Sequence, residues 1–149
     1  MTEQEIDCKY CALKLENQLC FPLYAASREV VKRYRPHLEP LGLTYTQYIA
    51  MMVFWEQKKC SVKELGEKLY LDSGTLTPLL KKMEAKGLLT RRRSVDDERS
   101  LIVSLTEAGI ALRDRAVSVP MHMSQCVKLE PEEAAELYRL LYKLLGTIK

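Results

Sequence analysis

The stretch from Ser61 to Thr106 limits the possible folds more than any other part of the chain. "SVKELGEKLYLDSGTLTPLLKKMEAKGLL" contains two short amphipathic helices. Ser61 and Glu64 fit a capping box, in which each side chain bonds the other residue's backbone amide. Val62, Leu65 and Leu69 form one apolar stripe. Asp72-Ser73 offers a second cap after a tight turn. Leu76, Leu79, Leu80 and Met83 then recur at i, i+3, i+4 and i+7, one face of a second helix. Gly87 suits the residue just past its end. Pro78 removes one early hydrogen bond and is expected to distort the first turns. "LLTRRRSVDDERSLIVSLT" follows directly. Leu88–Arg93 and Leu101–Leu105 read as two strands, and the polar Ser94–Ser100 as a hairpin tip. Two helices joined by a tight turn and followed at once by a hairpin make a winged helix-turn-helix with a two-stranded wing.

The flanks read as helical, so the chain is expected to be mostly α. Residues 1–14 read as a flexible leader. A helix is expected from about Leu15 to Tyr34. Arg35-Pro36 should interrupt it, because the residue before proline avoids the α region. A short segment near His37–Leu41 ends at Gly42. Thr44 caps a helix whose middle, Tyr48 to Trp55, is apolar all round and therefore central to a core. Thr106 caps a further helix, from Glu107 to about Val119, which Pro120 bends or interrupts. A last helix, about Pro131 to Ile148, carries Leu137, Leu140, Leu141, Leu144 and Leu145 as a stripe.

Composition closes off several alternatives. At 149 residues and 47% apolar, the chain has enough material for one domain with a real core. Its longest apolar run is too short to span a bilayer. The acidic, polar start "MTEQEIDCKY" is not a secretory signal, so a cytoplasmic location is expected. The cysteine count, five, is odd, which argues against a structural disulfide framework and leaves packing, metal or redox chemistry. A net charge of +3 decides nothing about nucleic acid, so local placement must.

That placement is basic where the helix-turn-helix lies. Lys81, Lys82, Lys86, Arg91, Arg92, Arg93 and Arg99 cluster on the second helix and the hairpin, diluted by Glu84, Asp96, Asp97 and Glu98. Ser73, Thr75 and Thr77 open the helix with small hydroxyls that can approach phosphates and base edges. On charge alone, a solvated basic face would suffice. Charge together with this supersecondary pattern points to double-stranded DNA, with Ser73, Thr75, Thr77, Lys81, Lys82, Arg91, Arg93 and Arg99 as contacts. Asp97 either steers Arg99 toward a minor groove or forms an exposed ion pair of little worth, ~0–1 kcal/mol.

The cysteines form the second set of candidates. Cys20 lies among Leu19, Phe21, Leu23 and Tyr24. Free cysteine packs as a small hydrophobe, yet a phenol that donates to a thiolate, or a helix start marked by Pro22, would favour the charged thiol. Tyr24 is one turn away, and Tyr34, Tyr45 and Tyr48 flank the next junction. Cys126 follows "VPMHMSQ" in a loop or frayed helix end and could resolve an oxidised thiol. Cys8 and Cys11 form one C-x-x-C, half of a zinc site, with no second pair and with His37 and His122 isolated. Cys60 precedes a cap and reads as structural. No metal and no cofactor is implied.

Taken together, "LENQLCFPLY", "LTYTQYIAMMVFWE", "LGEKLYLDSGTLTPLLKKME" and "DERS" make the chain, from about Leu15 to Leu145, resemble the organic hydroperoxide-sensing repressors of the MarR family. The resemblance implies a homodimeric winged-helix repressor, not an enzyme, that binds an inverted-repeat operator. Terminal helices (about 15–42 and 106–149) would interleave to form the dimer, and residues 44–105 would form the DNA-binding lobe. Each subunit would set a recognition helix in a major groove and a wing toward a minor groove. The peroxidatic cysteine falls on Cys20. The tyrosines that hydrogen-bond its thiolate across the dimer fall on Tyr34 and Tyr45, with Tyr24 a further neighbour. The wing arginine falls on Arg99, with Asp97 as its carboxylate partner. Some members use a late cysteine of the other subunit as resolving thiol, and Cys126 lies in that neighbourhood. Pro22 departs from the family pattern, and the Cys8–Cys11 pair stands outside it and could itself capture the oxidised thiol. Two rival readings stand beside this one. In the first, a small apolar ligand controls a MarR-type regulator and Cys20 is structural. In the second, the chain is a thiol peroxidase, for which the basic wing has no use.

Overall fold

A computed structural model describes residues 10–148. The first long helix, α1, spans Cys20–Leu38 and starts five residues later than the periodicity suggests. Leu15–Asn17 instead forms a 3-10 turn behind another at Cys11–Leu13. Side chains hold these turns in place. Asn17 donates to the Cys11 carbonyl at 2.7 Å, and Gln18 donates to the carbonyls of Ala12 and Lys14. Of the expected leader, residues 1–9 lie outside the described residues. Pro22 is the third residue of α1, where its missing N–H is one the helix could not have paired.

Pro36 does not interrupt α1 but sits inside its last turn. The lost hydrogen bond is outweighed by packing around it. Leu38 is buried, Tyr34 stacks near Tyr45 and Tyr48, and the His37 ring lies parallel to His122 at 4.8 Å. A 3-10 turn at Glu39–Leu41 then ends at Gly42, whose φ of +68° is left-handed and suits glycine. Leu43 N–H returns to the Leu38 carbonyl at 3.1 Å, closing the reversal.

The next helix, α2, spans Tyr45–Gln57 under a full capping box of Thr44 and Gln47. Ala50, Met51 and Phe54 are completely buried, as its apolar sequence predicts. After α2 comes a strand absent from the sequence reading. This β1, Lys59–Ser61, pairs antiparallel with β3 (Leu101–Leu105), whose other edge pairs with β2 (Leu89–Arg93). The wing hairpin is thus two strands of a three-stranded sheet ordered β1-β3-β2. Three residues are too few for a visible alternation, and their pairing partner is distant in sequence.

The helix-turn-helix forms as its caps predict. Helix α3, Val62–Leu69, carries the Ser61/Glu64 box, with Glu64 N–H donating to Ser61 Oγ at 3.1 Å. Helix α4, Ser73–Ala85, is capped by Asp72, which accepts from Thr75 N–H at 2.7 Å. It stays helical through Pro78. Gly87, at φ +73°, lets the chain turn out of α4 into β2. Thr106 caps α5, Glu107–Ala116, at the Gly109 N–H. The chain breaks before Pro120 rather than bending at it, and Pro120 becomes the second residue of α6, Val119–Cys126. Helix α7 spans Pro131–Thr147.

Leu65, Leu76, Leu80, Met83, Leu89 and Val103 close one core beneath α2. Each such side chain contributes about 1.5–3 kcal/mol on burial. Trp55 Nε1 donates to the Gly109 carbonyl at 2.9 Å, tying α2 to α5. Helix α7, by contrast, buries no residue. Among the described residues no helix is long and apolar enough to cross a membrane.

Candidate nucleic-acid interface and thiol site

Of the basic residues expected from sequence, Arg91 and Arg99 line one groove together with the hydroxyls that open α4, Ser73 and Thr77. The groove has a volume of about 710 Å³ between α3, α4 and the wing. Ser73 opens α4, and Thr77 Oγ1 donates back to the Ser73 carbonyl at 2.8 Å, which leaves its oxygen able to accept. Thr75 lies beside them, and its amide is spent on the Asp72 cap. Lys81 and Lys82 are exposed farther along α4, and Arg93 is exposed on β2.

Arg91 is placed differently from the others. Its guanidinium grips Glu84 through two hydrogen bonds of 2.9 and 2.8 Å, and its amide donates to the same carboxylate at 3.0 Å. These bonds hold the Glu84 carboxyl below its ordinary value. Arg91 therefore fastens the wing to α4 rather than presenting a free charge. In the sequence Glu84 reads only as a dilution of positive charge. The pair is seven residues apart across a helix-to-strand turn, a spacing with no local signature.

Asp97 supports the wing, though through the backbone. Its carboxylate accepts from Ser100 Oγ at 2.8 Å and from the Arg99 amide at 3.0 Å. Both bonds hold the carboxyl below the usual range. The expected pairing with the Arg99 guanidinium is replaced by this turn, which sets the loop's shape and leaves Arg99 exposed.

Cys20 is the first residue of α1 and is exposed, as are Leu19 at 81% and Phe21 at 42%. The location of a helix start there agrees with the sign given by Pro22. Tyr24 is one turn away, and its oxygen accepts from Arg28 at 3.1 Å. Tyr34 is fourteen residues along the same helix, about 21 Å from Cys20. There it meets Tyr45 at 4.8 Å and Tyr48 at 5.9 Å, ring centre to ring centre. Burial pushes all three phenols above their ordinary value, so at neutral pH they stay protonated donors. A single chain does not bring Cys20 to Tyr34 or Tyr45.

Cys126 ends α6 and is exposed. The His37–His122 stack joins α6 to the end of α1 remote from Cys20. Cys60 is buried, and burial with the nearby Glu64 pushes its thiol up to about 11, which suits its structural reading. Cys11 is half-buried in its 3-10 turn, and Cys8 lies outside the described residues. Among the described residues no group of three or more His, Cys, Asp or Glu side chains could hold a metal ion.

Residues 32–115 match the family described as transcriptional regulator SarA/Rot. The chain is similar to the organic hydroperoxide resistance transcriptional regulator of Bacillus subtilis, at 51% identity over 94% of this chain and 95% of that protein. It is also similar to reduced AbfR bound to DNA, with a TM-score of 0.79 at 34% identity over 94% of this chain and 96% of that one. Against the disulfide-formed AbfR the TM-score is 0.59, at 33% identity over 95% of this chain and 94% of that one.

Proposed function

The chain belongs to the MarR-family winged-helix transcriptional regulators, in the group of organic hydroperoxide resistance regulators, and on that premise we propose that it is a homodimeric, redox-sensing DNA-binding repressor of the cytoplasm. The observation that carries this reading is an exposed thiol at the first residue of α1, set among uncovered apolar side chains, in a chain whose DNA-facing lobe is complete. The closer likeness to the reduced, DNA-bound relative than to the disulfide-formed one, at nearly equal identity, supports assigning this conformation to the DNA-competent state.

In the reduced dimer α4 enters the major groove of an inverted-repeat operator. Ser73, Thr75, Thr77, Lys81 and Lys82 face it, while Arg93 and Arg99 meet the backbone and minor groove from the wing. The terminal helices, about 15–42 and 106–149, cover each other's apolar faces. A two-fold pairing of α1 against its copy would bring Cys20 toward the phenols of the other subunit, which donate to its thiolate. The Cys20 thiolate attacks an organic hydroperoxide, the O–O bond breaks, an alcohol leaves, and Cys20 becomes a sulfenic acid. A thiol then attacks that sulfur, forming a disulfide and releasing water. Cys126 of the partner subunit is the assigned resolving thiol. The bond shifts the terminal helices and draws the two lobes out of register with the operator.

Non-reducing electrophoresis after one equivalent of cumene hydroperoxide tests the thiol assignments on wild type, Cys20→Ser and Cys126→Ser. The expected result is a cross-linked dimer in wild type only. A dimer that persists in Cys126→Ser but not in Cys20→Ser moves the resolving role to Cys8 or Cys11. A dimer that persists in Cys20→Ser removes Cys20 as the sensor.

A further inference from the structure

The C-terminal end of α4 is tied to the α1–α2 junction by one side chain. Lys86 caps α4, and its ammonium donates both to the Gly42 carbonyl and to Gln47 Oε1, the latter at 3.0 Å. Gln47 is a buried polar residue, 4% exposed, and the same oxygen also accepts the Thr44 amide at 3.2 Å. Lys86 therefore engages the capping box that starts α2 and the left-handed residue that ends the reversal after α1. Arg115 of α5 donates to the Pro40 carbonyl of the same turn at 2.7 Å. The turn is thus continuous with α1, held by α5, and bonded to α4.

We propose that Lys86 is a positioning residue for the recognition helix, fixing the angle of α4 to the α1–α2 junction so that a displacement of α1 reaches α4. The proposal rests on the DNA-binding reading above and adds a residue that the basic patch disguised. Lys86 lies thirteen residues from Ser73, about 20 Å along α4 from the end assigned to the bases. Its charge is spent on neutral oxygens within the protein, at the helix end where a cation is favoured. A buried amide oxygen and a carbonyl share the ammonium, so removing the ammonium frees the helix end without opening a core cavity.

The test uses a duplex selected from a random pool by the reduced wild-type protein, and compares wild type, Lys86→Met and Lys86→Arg. Affinity is measured across salt concentrations, and again on duplexes whose half-sites are moved apart by about one base pair. Lys86→Met is expected to bind at least about tenfold more weakly, with an unchanged salt slope and reduced discrimination between spacings. Lys86→Arg, which keeps a donor at the same reach, should recover most of the affinity. Binding by Lys86→Met within about twofold of wild type overturns the proposal. So does a salt slope lowered by about one, which makes Lys86 a phosphate contact. So does weaker binding with spacing discrimination intact, which is the mark of general destabilisation. A wild-type protein that selects no duplex at all refutes the DNA-binding reading itself, a result distinct from each of these.

Discussion

In the lobe formed by α2, α3, α4 and the sheet, Phe54, Leu65, Leu76, Met83 and Val103 are buried within the single chain. In α7 the equally periodic Leu137 and Leu140 remain about half exposed, at 46% and 45%. Phe21, Leu23, Val30 and Val31 on α1 are exposed as well. Both regions have helical apolar stripes, so periodicity alone does not say where a stripe finds its cover. The lobe satisfies its own stripes and its own caps. The terminal helices present theirs outward in quantity, as a chain does when a second copy completes it. On the proposed reading this split separates the reader from the sensor, since the exposed thiol lies in the unfinished region.

The largest expected effect lies where the lobe meets α5. A Cβ added at Gly109 would stand 2.1 Å from the Leu88 carbonyl oxygen and 2.9 Å from Leu105 Cδ2, and the first of these is backbone. Gly109→Ala should cost on the order of 3–5 kcal/mol in urea unfolding. A loss under about 1 kcal/mol would mean that this junction is looser than its packing indicates.

Next, the same substitution in each region sharpens the contrast. Leu76→Ala removes a fully buried side chain and should cost about 2–5 kcal/mol at every protein concentration. Leu140→Ala should leave the lobe intact and weaken self-association, seen as a larger monomer fraction in sedimentation. Equal, concentration-independent losses from both would erase the distinction.

The smallest effect concerns the pin between α4 and the wing. Arg91 holds the folded-state pKa of Glu84 below the unfolded one, near the ordinary 4.5. Its stabilisation is therefore present above that value and lost as pH falls through the folded one. Glu84→Gln should be less stable than wild type at pH 7, with the difference disappearing in acid. A difference that grows in acid would contradict the pairing.

What the sequence made legible was local. Thr44, Ser61 with Glu64, Asp72 and Thr106 cap the helices they were expected to cap, because a cap is an exchange between neighbours. Gly87 turns the chain as expected for the same reason. The misreadings came where distant packing overrode local preference. Pro36 stays helical because Leu38 and His37 are anchored by other helices. Strand β1 exists because β3 offers an edge. Arg91 and Lys86 looked like members of one basic patch, yet both are bonded inward, to partners that no spacing rule connects. The thiol site was legible only in part. Pro22 hints at a helix start near Cys20 although the periodicity puts the start at Leu15, and Tyr34 and Tyr45 are far from Cys20 in one chain, so their assigned role depends on a second subunit.

The most direct measurement compares DNA affinity before and after oxidation. Wild type and Cys20→Ser would be titrated against the selected duplex, first fully reduced and then after one equivalent of cumene hydroperoxide. The account predicts comparable binding by both reduced proteins, at least a tenfold loss for oxidised wild type, and no loss for Cys20→Ser. Equal loss in both proteins would contradict it, because the switch would then lie somewhere other than Cys20.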